Sequence, residues 1–489
     1  MSSQFDIIHK DAAGRIGKLT TPHGVIETPT VMPVINPNIQ TVKASEMRSF
    51  GAQVLITNSY IIYRKDELRE KALKDGLHAL LDFDGPIMTD SGSFQLSVYG
   101  DVEVTNEEII EFQQKIGTDI GVPLDIPTPP DVTRERAEEE LKITIERLKA
   151  ARELVKDGML LAGPVQGSTY NDLREECART LSEMKFDVYP FGAVVPLMES
   201  YRYSDLVDVI ASAKKGLDPT APVHLFGAGH PMMFALAVAL GCDLFDSAAY
   251  ALYAKDRRYI TARGTYHVDN LRYLPCSCPI CMSHTAEELK KAHNCTELLA
   301  KHNLYVTFEE VREVKQAIWG GNLLELVEQR CRSHPRMLEA LKTLSNYSEW
   351  LEQCDPASKS TLFYCGPESA KRPEVLRFSK HVENFTIQGS ALIRAYPTKR
   401  DNEYENVLIF KAPFGTYPQE LAEVYPLNAE VVKTPDSESL EVAYLNTNKL
   451  VELNPDAQFT FLMQGRFEHP LVEKLEALPN VGIVLAHNY

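Results

Sequence analysis

The feature that most constrains the fold is a short apolar run that recurs between residues 31 and 250 and ends each time in a polar or glycine-rich turn. Apolar runs without alternation are expected for parallel strands that are covered on both faces. The eight runs are VMPVI (31–35), VLITNS (54–59), PIMTDS (86–91), IGVPLDI (120–126), LLAGPVQ (160–166), FGAVVPL (191–197), VHLFGAG (223–229) and LFDSAAY (244–250).

Helix-like stretches separate these runs. Two of them, NEEIIEFQQKIG (106–117) and RERAEEELKITIERLKAARELVKDG (134–158), space their apolar residues as an amphipathic helix does, and each ends at a glycine. Eight strand–helix units over about 250 residues predict an α/β fold, a (β/α)8 TIM barrel. A doubly wound open sheet is the alternative that the pattern leaves open.

The segments on either side of the repeats have a different character. Residues 6–31 alternate around two turn signals and predict one or two hairpins. Near residue 350 turn formers and charges mark a boundary, which predicts a catalytic domain over 1–350 and a smaller α+β region over 351–489, with a split into two subdomains near 420. The strand-like pieces of this region are LIRAY, NVLIFKAP, SLEVAYLN, QFTFLMQ and VGIVLAHN.

Composition narrows the class of protein. The N-terminus has no basic stretch followed by an apolar run, and no window reaches the roughly 18 apolar residues of a membrane span. Nine cysteines, an odd number with three close together, favour a reducing, cytoplasmic compartment and a metal site over disulfides. The net charge of −17 argues against a broadly basic nucleic-acid surface, so RNA contact would need a local basic patch.

Acids, an amide and glycines stand where the predicted strands end. Barrel enzymes place their chemistry at these carboxyl ends, so we expect the side chains to share one pocket. Taken singly, each aspartate has an ordinary interpretation as a turn former or helix N-cap. Several carboxylates crowded together are costly, which favours a functional interpretation of the set. Its members are Asp90, Asp125, Gln166, Gly192, Gly227, Gly229 and Asp246.

Such a pocket suits chemistry at a sugar that carries a purine. One carboxylate can attack an anomeric carbon to form a covalent glycosyl-enzyme, and a second can carry the proton of the leaving group. A carboxylate can also accept the paired N–H groups of a guanine edge, and a glutamine amide can meet its carbonyl. Phe94 is positioned in SGSFQ to stack on the base, or to serve as a core aromatic.

The segment CSCPIC places Cys276, Cys278 and Cys281 on one tight turn. This spacing predicts a structural zinc site that one further ligand closes. The downstream candidates are His284, His293, Cys295 and His302, of which we prefer His302 because His284 lies too near the loop. With four protein ligands the Zn²⁺ has no open position and would hold structure.

Taken together, MTDSGSFQ, PVQG, FGAVVP, LFDSA and CSCPIC resemble, in this order, the tRNA-guanine transglycosylases. The resemblance covers about residues 5–345 and includes the opening GRIGKLTTPHG. It implies that Asp246 is the nucleophile and that Asp90 contacts the base and transfers protons. The other implied assignments are Asp125, Gln166, Gly192, Phe94 and Ser91 for base binding, and Cys276, Cys278, Cys281 and His302 for zinc.

The chain is more similar to the archaeal than to the bacterial members. Gly-Ala-Val (192–194) replaces the bacterial Gly-Gly-Leu, Ser247 replaces a cysteine, and residues 412–427 resemble the archaeal C-terminal region. The resemblance implies exchange of guanine 15 in the tRNA D-arm for 7-cyano-7-deazaguanine (preQ0), a step towards archaeosine, by a homodimer. The sequence ends where a basic PUA domain would begin, so we expect a separate PUA-bearing partner or weaker tRNA binding.

Three other functions are alternatives to this interpretation, and each makes a different demand on the sequence. A queuosine-type enzyme would act at the anticodon, a non-catalytic tRNA-binding paralogue would lack the nucleophile that Asp246 supplies, and a metal-dependent barrel hydrolase would need histidines at the strand ends. For the RNA backbone we expect contacts from the basic stretch after Asp246. It contains Lys255, Arg257, Arg258 and Arg263.

Overall fold

A computed structural model describes residues 5–93, 104–155, 158–463 and 470–485 of the chain. The chain forms two compact units, Met1–Leu344 and Ser345–Tyr489. Within the described ranges, no helix has the length and apolar character needed to cross a membrane.

Within its described residues, the first unit contains thirteen strands and fifteen α-helices. Its strands are β1 (Phe5–Asp11), β2 (Gly14–Thr21), β3 (Gly24–Thr28), β4 (Thr30–Pro33), β5 (Leu55–Asn58), β6 (Ile87–Asp90), β7 (Ile120–Gly121), β8 (Leu160–Leu161), β9 (Tyr189–Phe191), β10 (Val223–Leu225), β11 (Leu244–Ser247), β12 (Arg258–Thr261) and β13 (Gly264–His267). Its helices are α1 (Ser59–Arg64), α2 (Asp66–Asp75), α3 (Leu77–Leu81), α4 (Asn106–Lys115), α5 (Arg134–Leu154), α6 (Asn171–Glu183), α7 (Val195–Glu199), α8 (Tyr203–Gly216), α9 (Phe234–Ala239), α10 (Ala249–Lys255), α11 (Pro279–Ser283), α12 (Ala286–Lys291), α13 (Cys295–Gly320), α14 (Leu323–Cys331) and α15 (Pro335–Leu344).

The eight strands from β4 to β11 pair in parallel. One four-stranded sheet has the order β5-β6-β7-β8 and another the order β4-β11-β10-β9. Isolated parallel bridges join the two sheets, Val34 with Ile56 on one side and Ala162 with Val188 on the other. Each of these strands therefore neighbours the next in sequence, and the last, β11, pairs with the first, β4.

One buried cluster collects apolar side chains from these strands, which supports the interpretation of the runs as strands covered on both faces. The predicted N-terminal hairpins are confirmed as a three-stranded antiparallel sheet, β1-β2-β3, that adds side chains to the cluster. Its members include Phe5, Leu19, Ile26, Met32, Ile56, Met88, Ile120, Leu160, Val188 and Leu244.

Both predicted amphipathic helices are present. Thr105 opens α4 with a capping box, because its hydroxyl accepts from the Glu108 N–H while the Glu108 carboxylate accepts from the Thr105 N–H. The Thr133 hydroxyl caps α5 in the same position by accepting from the Arg136 N–H. Local capping and apolar periodicity therefore agree for these two helices.

The sixth predicted strand is wrong in its bounds. The run FGAVVPL (191–197) was expected to be extended, but β9 ends at Phe191 and α7 begins at Val195. Ala193 adopts a left-handed backbone (φ 57°) that turns the chain, and Pro196 lies in the first turn of α7, where its missing N–H costs nothing. Apolarity alone did not separate the strand from α7, in which only Leu197 is buried.

The second unit has its own core and sheets. Its strands are β14 (Phe363–Tyr364), β15 (Ser390–Arg394), β16 (Asn406–Lys411), β17 (Gly415–Pro418), β18 (Glu430–Val431), β19 (Gln458–Met463) and β20 (Val481–Leu485). Its helices are α16 (Ser348–Cys354), α17 (Pro373–His381), α18 (Ser437–Leu453) and α19 (Pro470–Glu476). The main sheet has the order β17-β16-β15-β19-β20 and so combines strands from both sides of residue 420.

One strand predicted in this unit is wrong, because SLEVAYLN lies inside α18. Asp436 caps the helix by accepting from the Ser439 N–H. The buried positions, among them Ala443, Tyr444 and Thr447, recur at helical spacing, and Leu450 and Val451 continue the same face. The valine, tyrosine and leucines of SLEVAYLN favour a strand when these eight residues are taken alone. The helical spacing becomes evident only over the longer segment 437–453.

Candidate functional site

A cleft of about 1140 Å³ lies at the carboxyl ends of the parallel strands of the first unit. The volume exceeds that needed for one purine, since pockets of 300–1,000 Å³ hold drug-sized ligands. Most of the predicted site residues meet there. The cleft lining includes Asp90, Asp125, Gln166, Gly192, Gly227, Gly229 and Asp246.

Asp90 ends β6 inside the cleft. Asn58, at the end of the neighbouring strand β5, donates a hydrogen bond of 2.9 Å from Nδ2 to Asp90 Oδ2. Burial raises the pKa of Asp90 to about 7, and the negative charges of Asp125 and Asp246 act in the same direction. This carboxyl can therefore hold or release a proton near neutral pH, as an acid–base catalyst must.

Asp125 and Gln166 form a hydrogen-bonded pair, in which Gln166 Nε2 donates to Asp125 Oδ2 over 2.6 Å. Burial raises the pKa of Asp125, while bonds to Ser93 and Gln166 oppose the rise. Gln166 Oε1 is buried and accepts no hydrogen bond within the described part of the chain. The pair thus combines a carboxyl group with an amide carbonyl that has no partner among the described residues, groups that suit the N–H donors of a guanine-like edge.

Gly192 leaves the room that this pair requires. A Cβ at position 192 would lie 2.1 Å from Gln166 Nε2, closer than any real contact. A side chain there would displace the amide, so glycine is the residue that allows the backbone of 192 to approach the pair. Gly229 has a similar role, because a Cβ there would lie 1.7 Å from Ser247 Oγ.

Asp246 lies on β11 and directs one carboxylate oxygen into the protein. Its Oδ1 is 2.8 Å from His224 Nε2 and accepts a 2.7 Å hydrogen bond from the Gly227 N–H. Oδ2 has no hydrogen bond from any residue that the structure describes. A carboxylate held by one oxygen, in the cleft that the Asp125–Gln166 pair also lines, is arranged to act as a nucleophile with the other.

Of two further residues predicted to bind the base, one does not line the cleft and the other cannot be located. Ser91 is buried behind it, where its hydroxyl donates to the Pro123 carbonyl over 3.0 Å. Phe94 lies outside the described residues. Ser93, which was not predicted, lines the cleft and accepts a hydrogen bond from the Asp125 N–H.

Cys276, Cys278, Cys281 and His302 bring one ligand atom each to within 4.8 Å of one another. His302, from α13, places Nδ1 at 3.4 Å from the sulfurs of both Cys278 and Cys281. Its Nε2 lies 3.0 Å from the Ile260 carbonyl, the kind of outer bond that orients a metal-binding imidazole. The four groups can therefore hold a metal ion, and of the four candidates for the last ligand His302 joins the cysteines.

A family model described as queuine tRNA-ribosyltransferase matches residues 10–336. The chain belongs to this family. Among its relatives, the tRNA-guanine(15) transglycosylase of Methanosarcina mazei is 69% identical over 475 residues, 97% of each chain. That of Haloarcula marismortui is 54% identical over 94% of this chain and 95% of its own length. That of Methanothermobacter thermautotrophicus is 51% identical over 86% of this chain and 67% of its own.

The basic stretch that follows Asp246 divides into two parts. Arg258 and Arg263 line the cleft, with the Arg258 guanidinium 5.2 Å from the centre of the Tyr253 ring. Arg257 instead forms an ion pair of 2.5 Å with Asp269. Of the four cations predicted to contact RNA, the cleft therefore offers Arg258 and Arg263.

A second cluster, at the opposite ends of the strands, was not predicted. Asp119 precedes β7 and accepts hydrogen bonds from two nitrogens of His23, the main-chain N–H and Nδ1, and from His78 Nε2 and the Ile87 N–H. Burial alone would raise the pKa of Asp119, but these bonds outweigh it and hold the pKa below its usual value. Because both carboxylate oxygens are already satisfied, the cluster acts as a structural tie between the N-terminal hairpin, α3 and β6.

His224 is the site residue that the sequence concealed most completely. It is the second residue of the run VHLFGAG, where it looks like a polar interruption of a buried strand. Two features of His224 could have indicated a role in the site. It is a titratable residue three positions before Gly227, and its strand, β10, lies next to the strand of Asp246.

Proposed function

We propose that the chain is a tRNA-guanine(15) transglycosylase that exchanges guanine in the D-arm of tRNA for preQ0, as expected for archaeosine biosynthesis. The observation that carries the proposal is the convergence of Asp90, the Asp125–Gln166 pair and Asp246 in one cleft. The identity to relatives that bear this enzyme name, over nearly their whole length, supports the same reaction.

The proposed scaffold is a (β/α)8 barrel. The parallel pairing of β4 to β11, with each strand next to its successor and β11 beside β4, supports closure. The position of the cleft at the carboxyl ends of the strands agrees with the placement of active sites in such barrels.

In the first displacement, the Asp125–Gln166 pair binds the guanine edge and the Gly192 backbone lies against the ring. Asp246 Oδ2 attacks C1′ of the ribose, the C1′–N9 bond breaks, and its electron pair leaves with the base. Asp90, whose pKa is raised to about 7, supplies the proton that the departing guanine takes up. The product is a ribosyl ester of Asp246.

In the second displacement, preQ0 occupies the same pocket. Its N9 attacks C1′, the C1′–Oδ2 bond breaks, and the electron pair returns to the Asp246 carboxylate, while the N9 proton passes to Asp90. Two inversions give net retention at C1′. The reaction needs no external energy source, because one glycosidic bond replaces another.

The metal proposed for the cysteine cluster is zinc, since three thiolates and one imidazole are its usual structural donors. When bound, Zn²⁺ would join the turn at 276–281 to α13 through Cys276, Cys278, Cys281 and His302. All four donor positions are protein groups, so its contribution is to stability of the segment after the nucleophile. It takes no part in the proposed displacement.

Exchange of radiolabelled guanine into tRNA tests the proposed function. We expect label at position 15 with the wild-type chain and no label with Asp246→Asn, which keeps the shape of the side chain and removes its nucleophilic charge. Unlabelled preQ0 should chase the label, whereas preQ1 should not. Label at an anticodon position would identify a queuosine-type enzyme. If the wild-type chain incorporated no labelled guanine at any position of the tRNA, the proposal would be overturned.

The proposed partners can be tested in the same assay. We propose a homodimer that binds tRNA with help from a separate PUA-domain protein. Sedimentation should give twice the mass of the chain, and addition of the PUA-domain protein should lower the KM for tRNA without changing the KM for guanine. An unchanged KM for tRNA would remove the partner from the proposal.

A further inference from the structure

His224 is a buried histidine on a central strand of its parallel sheet. It lies on β10 between β9 and β11, is fully buried, and packs its ring 4.4 Å from that of Phe226. A histidine in such surroundings must satisfy at least one ring nitrogen, because a buried polar group without a partner costs about 1–3 kcal/mol.

The contacts of the ring fix where its proton lies. Nε2 is 2.8 Å from Asp246 Oδ1, while Nδ1 is buried and has no partner within the described residues. An ionised carboxylate only accepts hydrogen bonds, so Nε2 carries the proton.

The Gly227 N–H donates to the same oxygen over 2.7 Å. Two donors on Oδ1 fix the rotation of the carboxylate and leave Oδ2 directed towards the cleft that Asp246 lines. The two oxygens of one side chain therefore have different environments, one bound by the protein and one available for attack.

We propose that His224 is a positioning residue for Asp246 that makes the aspartate a good leaving group in the second displacement. This inference rests on the proposed function. When the C1′–Oδ2 bond breaks, the returning electron pair spreads over both oxygens, and the charge on Oδ1 is met by donors that are already in place. The same bonds are weaker in the ester, where Oδ1 is an uncharged carbonyl oxygen, so they favour release of the ribose over its retention.

Two substitutions separate this role from simple packing. His224→Met removes the donor at similar volume, and His224→Gln keeps an amide N–H at the reach of Nε2. Wild-type and variant adducts are formed with tRNA, the adducts are mixed with excess preQ0, and the rate of discharge is measured by denaturing electrophoresis. We expect discharge to slow about 10- to 100-fold in His224→Met, the usual loss for a hydrogen bond to a charged group.

The adduct itself provides the readout that packing would not move. In His224→Met the covalent complex should accumulate to a larger fraction of the enzyme than in wild type, because its breakdown slows more than its formation. His224→Gln should restore both quantities towards wild type, and the KM for preQ0 should stay the same in all three proteins. Melting temperature checks the fold, and His224→Leu, which also lacks the donor, replaces His224→Met if that variant is unstable.

The outcomes separate a failure of the proposed function from a failure of the role proposed for His224. If wild type forms no adduct, the proposed function fails. If wild type forms an adduct and His224→Met discharges it at the wild-type rate, the role of His224 is refuted while the proposed function stands. Equal losses of formation and discharge in both the Met and Gln variants would also refute it, since they would indicate a purely structural residue.

Discussion

Replacing Gly192 by alanine tests how closely the backbone packs against the Asp125–Gln166 pair, which we propose binds the base. The new methyl would lie 2.1 Å from Gln166 Nε2 and 3.0 Å from Gln166 Cδ. To reach an ordinary van der Waals separation the amide must move by about 1 Å or more, which breaks its 2.6 Å bond to Asp125. Loss of a hydrogen bond to a charged group costs ~1.5–3 kcal/mol, so we expect preQ0 and guanine to bind roughly 10- to 150-fold more weakly.

Titration calorimetry with preQ0 measures the loss directly, and a double-mutant cycle identifies its cause. Once Gln166 is truncated in Gln166→Ala, the methyl at 192 no longer meets an amide, so Gly192→Ala should add almost nothing in that background. Gly482→Ala is the matched control, because the nearest atom to its added Cβ is 3.9 Å away. The reasoning is refuted if Gly192→Ala binds preQ0 as wild type does, or if it costs the same with and without Gln166.

Three further predictions concern protonation, metal and stability. Because the pKa of Asp90 is raised to about 7, single-turnover adduct formation should fall with rising pH above 7, and the residual rate of Asp90→Asn should be independent of pH. Cys281→Ser should lose the bound metal by elemental analysis, whereas Cys331→Ser, a buried cysteine outside the cluster, should retain it. Asp119→Asn should lower the melting temperature by roughly 5 °C at pH 7. Since the folded-state pKa of Asp119 is held low, its stabilising contribution is present above pH about 4 and lost as the pH falls further, so melting curves of the two proteins should converge in acid.

The two carboxylates proposed for catalysis were predictable from the sequence because each comes near the end of a mainly apolar run. Asp90 is the last residue of β6 and Asp246 the third of the four residues of β11, and side chains at the carboxyl ends of parallel strands meet at one edge. The cysteine triplet was predictable for a similar reason, since its spacing is local. Its fourth ligand, His302, comes from a helix far along the chain, and only the fold selected it from the other candidates.

The remaining features depend on contacts between distant segments. The tie around Asp119 joins residues 23, 78 and 119, none of which has a local pattern that predicts a partner. The hydrogen bond from His224 to Asp246 arises because β10 lies beside β11, a pairing that the sequence implies only once the order of strands is known. The misplaced strand at 191–197 has a local cause, since a single apolar run there continues across the turn at Ala193 into α7, in which only Leu197 is buried.

The central claim is that Asp246 forms a covalent bond to the tRNA ribose, and peptide mass spectrometry of the trapped complex tests it most directly. After ribonuclease and trypsin digestion, the peptide of residues 216–255 should carry a nucleotide remnant that lacks its base, and fragmentation should place it on Asp246 rather than on Asp218 or Asp243, which lie in the same peptide. Addition of preQ0 before digestion should remove the adduct. An adduct on another residue, or full guanine exchange by Asp246→Asn, would contradict the account.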